Sequence, residues 1–331
     1  MDLTIVWAVI IAFAVAMYVV MDGFDLGIGI LFPGFTVGKE RDQAMNAIAP
    51  VWDGNETWLV LGGGGLMAAF PLAYAIILPA LYAPLTAMLL GLVFRGVAFE
   101  FRWRDPAHRR WWDAGFCGGS LLAAFAQGIT LGALLQGIHV DGRAYAGGWW
   151  DWLTPFSLLT GLSLVVAYAA LGASWLVWKT EGRLHDDARR FASALLPVFL
   201  LLTAAVSLAT PFLEGQYYQR WFEWPGLIFT LLMPIAYCLT ALLAWHGIRR
   251  GTDATPFLAT LGLFALTLVG LGISIWPDVI PGRVDIWQAA APEKSQAFML
   301  VGAAILVPVI LAYTAWSYWV FRGKVDEEGY H

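Results

Sequence analysis

The chain has 331 residues, 60% of them hydrophobic and 13% charged, with a formal net charge of −5. A charged share about half that of a soluble domain excludes folding around one aqueous core and makes lipid the second solvent. The two cysteines, with no CxxC pair and no Cys/His cluster, argue against a disulfide framework and a structural zinc site.

The apolar runs are about twenty residues long and do not alternate, which selects helices over a closed barrel. Nine membrane spans are predicted, at 3–31, 54–70, 72–99, 114–137, 153–178, 190–212, 225–246, 256–277 and 297–321. The expected fold is an all-α polytopic membrane protein, with residues 1–331 forming a single integral membrane domain. The start Met1-Asp2-Leu3-Thr4 lacks the basic segment of a cleaved signal, so the first run should stay as a span. That span is overlong for a hydrocarbon layer of ~30 Å. The second is short and linked tightly to the third at Pro71, and Pro79 and Pro84 should kink the third.

Lysine and arginine set the orientation. Fourteen of the 19 fall in loops on one side, from Lys39 and Arg41 to Arg322 and Lys324; Arg143, Arg220, Arg283 and Lys294 fall on the other. Arg95 alone lies within the membrane. The crowded side should be cytoplasmic, which puts the N-terminus in the periplasm and the C-terminus in the cytoplasm. Trp7, Trp149, Trp175, Trp276, Trp316, Trp319 and others near span ends read as an interfacial belt.

Ionisable groups within spans are costly and by default mark function. They gather in three segments. In Met21-Asp22-Gly23-Phe24-Asp25-Leu26-Gly27, Asp22 and Asp25 share a helix face. In Ala49-Pro50-Val51-Trp52-Asp53-Gly54-Asn55-Glu56, a helix start around Pro50 and Asp53 puts Asp53 and Glu56 on one face. In Phe94-Arg95-Gly96-Val97-Ala98-Phe99-Glu100, Arg95 can pair with an acid. The topology brings all three to the cytoplasmic half, where Asp22, Asp25, Asp53, Glu56 and Glu100 are proton-path candidates and Arg95 is their structural charge partner. The plainer alternative is that Asp53 only caps a helix, Asp22 and Asp25 only satisfy Arg95, and Glu100 is interfacial. Gly62-Gly63-Gly64-Gly65 suggests close helix packing. The histidines, His108, His139, His185, His246 and His331, all fall in loops or at span ends, so no histidine is expected to ligate a membrane haem here.

MDGFDLGIG (Met21 to Gly29), APVWDGNETWL (Ala49 to Leu59), FRGVAFEFR (Phe94 to Arg102) and the tail from Val307 to Val325 resemble subunit II of cytochrome bd-type ubiquinol oxidases over essentially the whole chain. Length and short loops look closer to the cyanide-insensitive branch, and the link between spans six and seven is brief. The resemblance implies two four-helix bundles plus one peripheral helix in a bacterial cytoplasmic (inner) membrane. It implies a haem-bearing partner, subunit I, holding haems b and d or b-type haem alone, and a complex that oxidises quinol and reduces dioxygen to water. It implies no catalytic residue, no metal site and no ligated cofactor in this chain, which would be inactive alone. A structural quinone and a small single-helix accessory subunit are further possibilities; nucleic acid is no partner. By motif position the resemblance marks Asp25, Trp52, Asp53 and Arg95, adds Asp113 as a haem-proximal position, and notes Glu100 where some relatives carry aspartate. Two other readings stand beside it, a standalone proton-coupled secondary transporter and a passive scaffold. An off-centre acidic cluster with no second copy of its motifs argues against the transporter.

Overall fold

The computed structural model describes residues 2–325. α1 (Leu3–Leu31) starts from Asp2, whose side chain accepts from the Thr4 amide, and ends before Pro33-Gly34. A connecting helix, α2 (Lys39–Asn46), leads to α3 (Trp52–Ala69), α4 (Pro71–Ala80), α5 (Tyr82–Arg104) and α6 (Arg109–Leu135). A small hairpin, β1 (Val140–Asp141) and β2 (Ala144–Tyr145), precedes α7 (Pro155–Lys179), which opens with a reciprocal Thr154/Ser157 cap. Then come α8 (Gly182–Ala209), α9 (Gly215–Phe222), α10 (Leu227–Arg250) and α11 (Ala254–Ile275). A second hairpin, β3 (Asp278–Ile280) and β4 (Val284–Asp285), and a turn of helix, α12 (Ile286–Ala289), lead into α13 (Glu293–Val320).

Eight of these helices are long and apolar enough to cross a membrane, and the bent pair α3/α4, taken as one, is a ninth candidate. The fold is therefore an all-α polytopic membrane protein. One bundle holds α1, α3, α5 and α6; the other holds α7, α8, α10 and α11; α13 lies at the periphery. Eight predicted spans match helices to within a few residues, save that the helix predicted at 190–212 starts at Gly182. The third does not. Instead of one kinked helix from 72 to 99, the chain bends by 119° between α3 and α4 and breaks again at Leu81. α4 packs beside β2, β3 and α12 at the end that carries Asp2, and only α5 continues as a span. Proline explains both breaks, since Pro71 opens α4 and Pro79 ends it within a residue. The link between spans six and seven folds as α9.

The bundles meet where α1 crosses α7. A Cβ at Gly27 would stand 1.8 Å from the Tyr168 carbonyl oxygen, and one at Gly172 would stand 2.6 Å from the Gly27 carbonyl carbon. Only glycine lets the two backbones touch there. Phe24, Trp175 and Phe257 extend the seam, with Phe24 stacked on Trp175 at 4.4 Å. Of the Gly62–Gly65 run, only Gly62 and Gly65 face α1, against Val15 and Ile11, while Gly63 and Gly64 face outward. Two tryptophans of the predicted interfacial belt belong to the interior instead. Trp7 donates to the Gln296 carbonyl and Trp175 to that of Ala47, and both are buried.

The fourteen basic residues gather at one end, called here the basic end. Five residues after α13 are strapped across it. The Lys179 ammonium donates to the Phe321 and Gly323 carbonyls, and the Val325 amide donates to the Lys179 carbonyl. Gln43 donates to the Val325 carbonyl, and Lys324 pairs with Asp253 at 2.7 Å, which holds its ammonium above the usual lysine range.

Candidate functional site

The intramembrane acids of α1 lie one turn from the glycine contact. Asp22 and Asp25, three residues apart, are both fully buried. Arg95 reaches them from α5, itself 1% exposed. Its Nη1 lies 2.5 Å from Asp22 Oδ1 and 3.3 Å from Glu56 Oε1, and its Nη2 lies 3.9 Å from Asp25 Oδ2. Three carboxylates thus surround one guanidinium. Trp52 covers the guanidinium with its ring at 5.9 Å and leans on Phe99.

Asp25 is held mainly by another partner. Asn55 Nδ2 donates to Asp25 Oδ2 at 2.7 Å and to the Met21 carbonyl at 3.3 Å. The Tyr318 hydroxyl donates to Asn55 Oδ1 at 3.0 Å, tying α13 to the cluster. On the other flank Tyr18 faces Asp22 and accepts from Gln127, whose amide oxygen accepts from Tyr168.

Asp53 and Glu100 are not brought into this cluster. Asp53 lies in the first turn of α3, but the capping position is Val51, and no side chain caps that end. The predicted helix cap at Asp53 is thus corrected to an exposed first-turn acid favoured only by the helix dipole. Glu100 is 54% exposed and pairs only loosely with Arg104, at 3.8 Å. Its position puts it on the outer face of α5, five residues beyond Arg95.

Asp113 belongs to a second network nearer the basic end. Its Oδ1 accepts from Arg102 Nε at 2.5 Å and its Oδ2 from Arg41 Nη1 at 2.7 Å. Arg102 also donates to Asp42 at 2.7 Å, and Arg109 stands 3.5 Å from Asp42. Arg102 is fully buried, where the sequence count placed it in a loop. Phe32 lies under both Arg41 and Arg102 at 5.4 Å. Sequence reasoning missed Arg41, Asp42, Asn55, Arg102 and Tyr318. The signal for Arg102 was available: it follows Arg95 by seven residues, two helical turns, and so shares its face.

Among the described residues no group of three or more His, Cys, Asp and Glu could hold a metal ion. The described histidines lie at helix ends or loops: His108 against Asp105, His139 near Asp151, His185 against the Val177 carbonyl, and His246 in the last turns of α10. His331 lies outside the described residues. None of the four is buried.

The chain and its fold have counterparts among known proteins. Over 98% of its length the chain is 31% identical to a Haemophilus influenzae protein described as a probable cytochrome oxidase subunit 2, covering 95% of that protein. It is 29% identical to the cytochrome bd-I ubiquinol oxidase subunit 2 of Escherichia coli, with 98% and 96% of the two chains covered. It is likewise 29% identical to the Bacillus subtilis cytochrome bd ubiquinol oxidase subunit 2, with 97% and 96% covered. The fold is shared with a chain of the bd oxidase of Geobacillus thermodenitrificans at a TM-score of 0.76 and 18% identity, over 97% of this chain and 99% of that one. The pattern of the cytochrome bd terminal oxidase subunit II family matches residues 3–321, which takes in both charge networks and all the spans, and the chain belongs to that family.

Proposed function

We propose that this chain works as the haem-free subunit of a quinol oxidase that reduces dioxygen to water, supporting a haem-bearing subunit I and helping to take up protons from the cytoplasm. The observation that carries the reading is the Arg95 cluster, where three carboxylates face one guanidinium inside the membrane. One positive charge balances one carboxylate, and ionised groups are costly to bury uncompensated. Neutrality is reached when two protons reside among Asp22, Asp25 and Glu56. Asp22, with the 2.5 Å contact, serves as the counter-charge. Asp25 and Glu56 are left to hold and release protons. Arg95 and Trp52 position them.

In the proposed orientation the basic end faces the cytoplasm and Asp2 faces the periplasm of a bacterial inner membrane, following the lysine and arginine bias. The histidine positions support haem ligation by the partner subunit. The distribution of buried charge speaks against a transporter built from repeats. Among the described residues the second bundle's one buried charged side chain is Lys179, at its basic end.

The test is Asp25→Asn and Asp53→Asn in the assembled oxidase, assayed for haem spectrum and quinol-driven oxygen uptake. Asp25→Asn keeps the size and the hydrogen-bonding capacity but carries no proton, so uptake of oxygen should fall at least about tenfold with the spectrum intact. Asp53→Asn should have a smaller effect, because Asp53 stands outside the buried cluster. Full turnover in Asp25→Asn would remove the proton role and leave the scaffold reading.

A further inference from the structure

We infer that the seam between α3 and α13 is the water route from the basic end to Asp25, closed at its inner end by Tyr318 and Asn55. The inference rests on the proton-uptake reading above and adds to it the path and the residues that guard it. α13 is loosely seated: of its 28 residues only Gln296 and Ala303 are buried. Its last turns stand off from α3 and α7, leaving two cavities. The larger, of about 110 Å³, lies between Asn46, Val51, Trp178, Lys179, Tyr318 and Arg322. A smaller one follows, walled by Gly54, Asn55, Thr314 and Ser317, and shares Pro50, Val51 and Tyr318 with the first. The larger has room for about three waters at ~30 Å³ each. Asn46, Lys179, Tyr318 and Arg322 are the polar residues of its lining.

From that wall to the acid there are two hydrogen bonds, Tyr318 to Asn55 at 3.0 Å and Asn55 to Asp25 at 2.7 Å. The other oxygen of Asp25 is buried and makes no hydrogen bond to the described residues. Asp53 has no such connection, since among the described residues no hydrogen bond joins it to Asp25. Opening requires Tyr318 to turn off Asn55; it belongs to α13, outside both bundles, and its ring meets Trp175 edge-on at 6.1 Å. With Tyr318 turned, a hydronium ion in the seam gives its proton to the Asp25 carboxylate and remains as water. No other bond is made or broken. Tyr318 and Asn55 are positioning residues in this scheme.

The experiment uses the complete oxidase in nanodiscs, with both faces open to the buffer and Cys117 and Cys238 replaced by serine. Ser317→Cys puts a thiol in the seam, and Val309→Cys puts one on the outer, lipid-facing side of α13, where Val309 is 59% exposed. A cationic, membrane-impermeant methanethiosulfonate should modify Ser317→Cys but not Val309→Cys, and modification should slow oxygen uptake at least about fivefold. Tyr318→Phe keeps the ring and loses one hydrogen bond. Freed from Asn55, the ring opens more often, so uptake should rise by up to about fivefold, the equivalent of one such bond, with a normal haem spectrum and a smaller solvent deuterium isotope effect. An unreactive Ser317→Cys, or a modified one at full speed, overturns the route. Unchanged turnover and isotope effect in Tyr318→Phe overturn the guard. If Asp25→Asn is slow while modified Ser317→Cys is fast, the proton reading stands without this route; if both are fast, the reading itself falls.

Discussion

Arg95 and Arg102 sit two turns apart on α5, both shielded from solvent, yet their surroundings differ in balance. Arg102 belongs to a set of three arginines and two aspartates, Arg41, Arg109, Asp42 and Asp113 being the others, and its charges nearly cancel. Arg95 stands alone among three acids. The first arrangement suits a fixed joint and the second a store of exchangeable protons. Removing either arginine strands buried carboxylates, a loss of ~3–5 kcal/mol when a pair is truly buried. Arg95→Ala and Arg102→Ala should therefore both reduce the yield of folded protein, measured by size-exclusion of the detergent-solubilised chain. Arg102→Lys should not rescue, because an ammonium cannot bridge Asp42 and Asp113 as the guanidinium does through Nε and Nη1. Joining Arg95→Gln to Asp22→Asn removes both charges of one pair and should recover part of the yield. The acids of the Arg95 cluster were legible in the sequence because charge inside an apolar run is conspicuous. Asn55 and Tyr318 were not, because neutral polar side chains are common at span ends and only the fold shows which one meets a carboxylate. The Arg102 network was hidden by counting a residue near a span end as exposed.

At the level of helices, composition located nearly every span, since about twenty apolar residues can do little else in lipid. It could not tell a kink from a break. Pro79 and Pro84 suit either outcome, and the choice was made by the packing of α4 against the two hairpins. Nor could it sort the glycines. Gly27 and Gly172 were overlooked beside the more conspicuous run at Gly62–Gly65, yet they are where the bundles join. Gly27→Ala drives a methyl group into the Tyr168 carbonyl, whose backbone has no room to yield, and should abolish the folded chain. Gly64→Ala meets nothing within 4 Å and raises helix propensity by ~1 kcal/mol, so the thermal midpoint of the isolated chain should hold or rise. A fluorescence-detected melting curve of the two variants decides it.

For the whole molecule, the unequal distribution of lysine and arginine predicts orientation. In a background without Cys117 and Cys238, a cysteine placed beside Arg283 should be labelled by an impermeant reagent in cells with a permeabilised outer membrane. One beside Arg109 should be labelled only after lysis. The opposite pattern would turn the proton cluster toward the periplasm. Two ends so unlike also fit a molecule that meets water differently on each side. One end is built from hairpins, α4 and α9; the other from ion pairs and the strap after α13.

That strap has a consequence for how the protein is made. Its anchors are Gln43, Lys179 and Asp253, from segments synthesised long before it. α13 has little buried surface of its own, so its insertion into the bilayer and its docking on the bundles are separable events, and the second waits for residues 321–325. Deleting the chain from Phe321 onward would leave every span apolar enough to insert while depriving Lys179 of two carbonyls. Such a protein should reach the membrane in normal amount with its last helix unseated, exposed to a membrane protease that the full-length chain resists. On that outcome the strap is a clasp, closing the last helix onto the bundles only after residues 321–325 have been made.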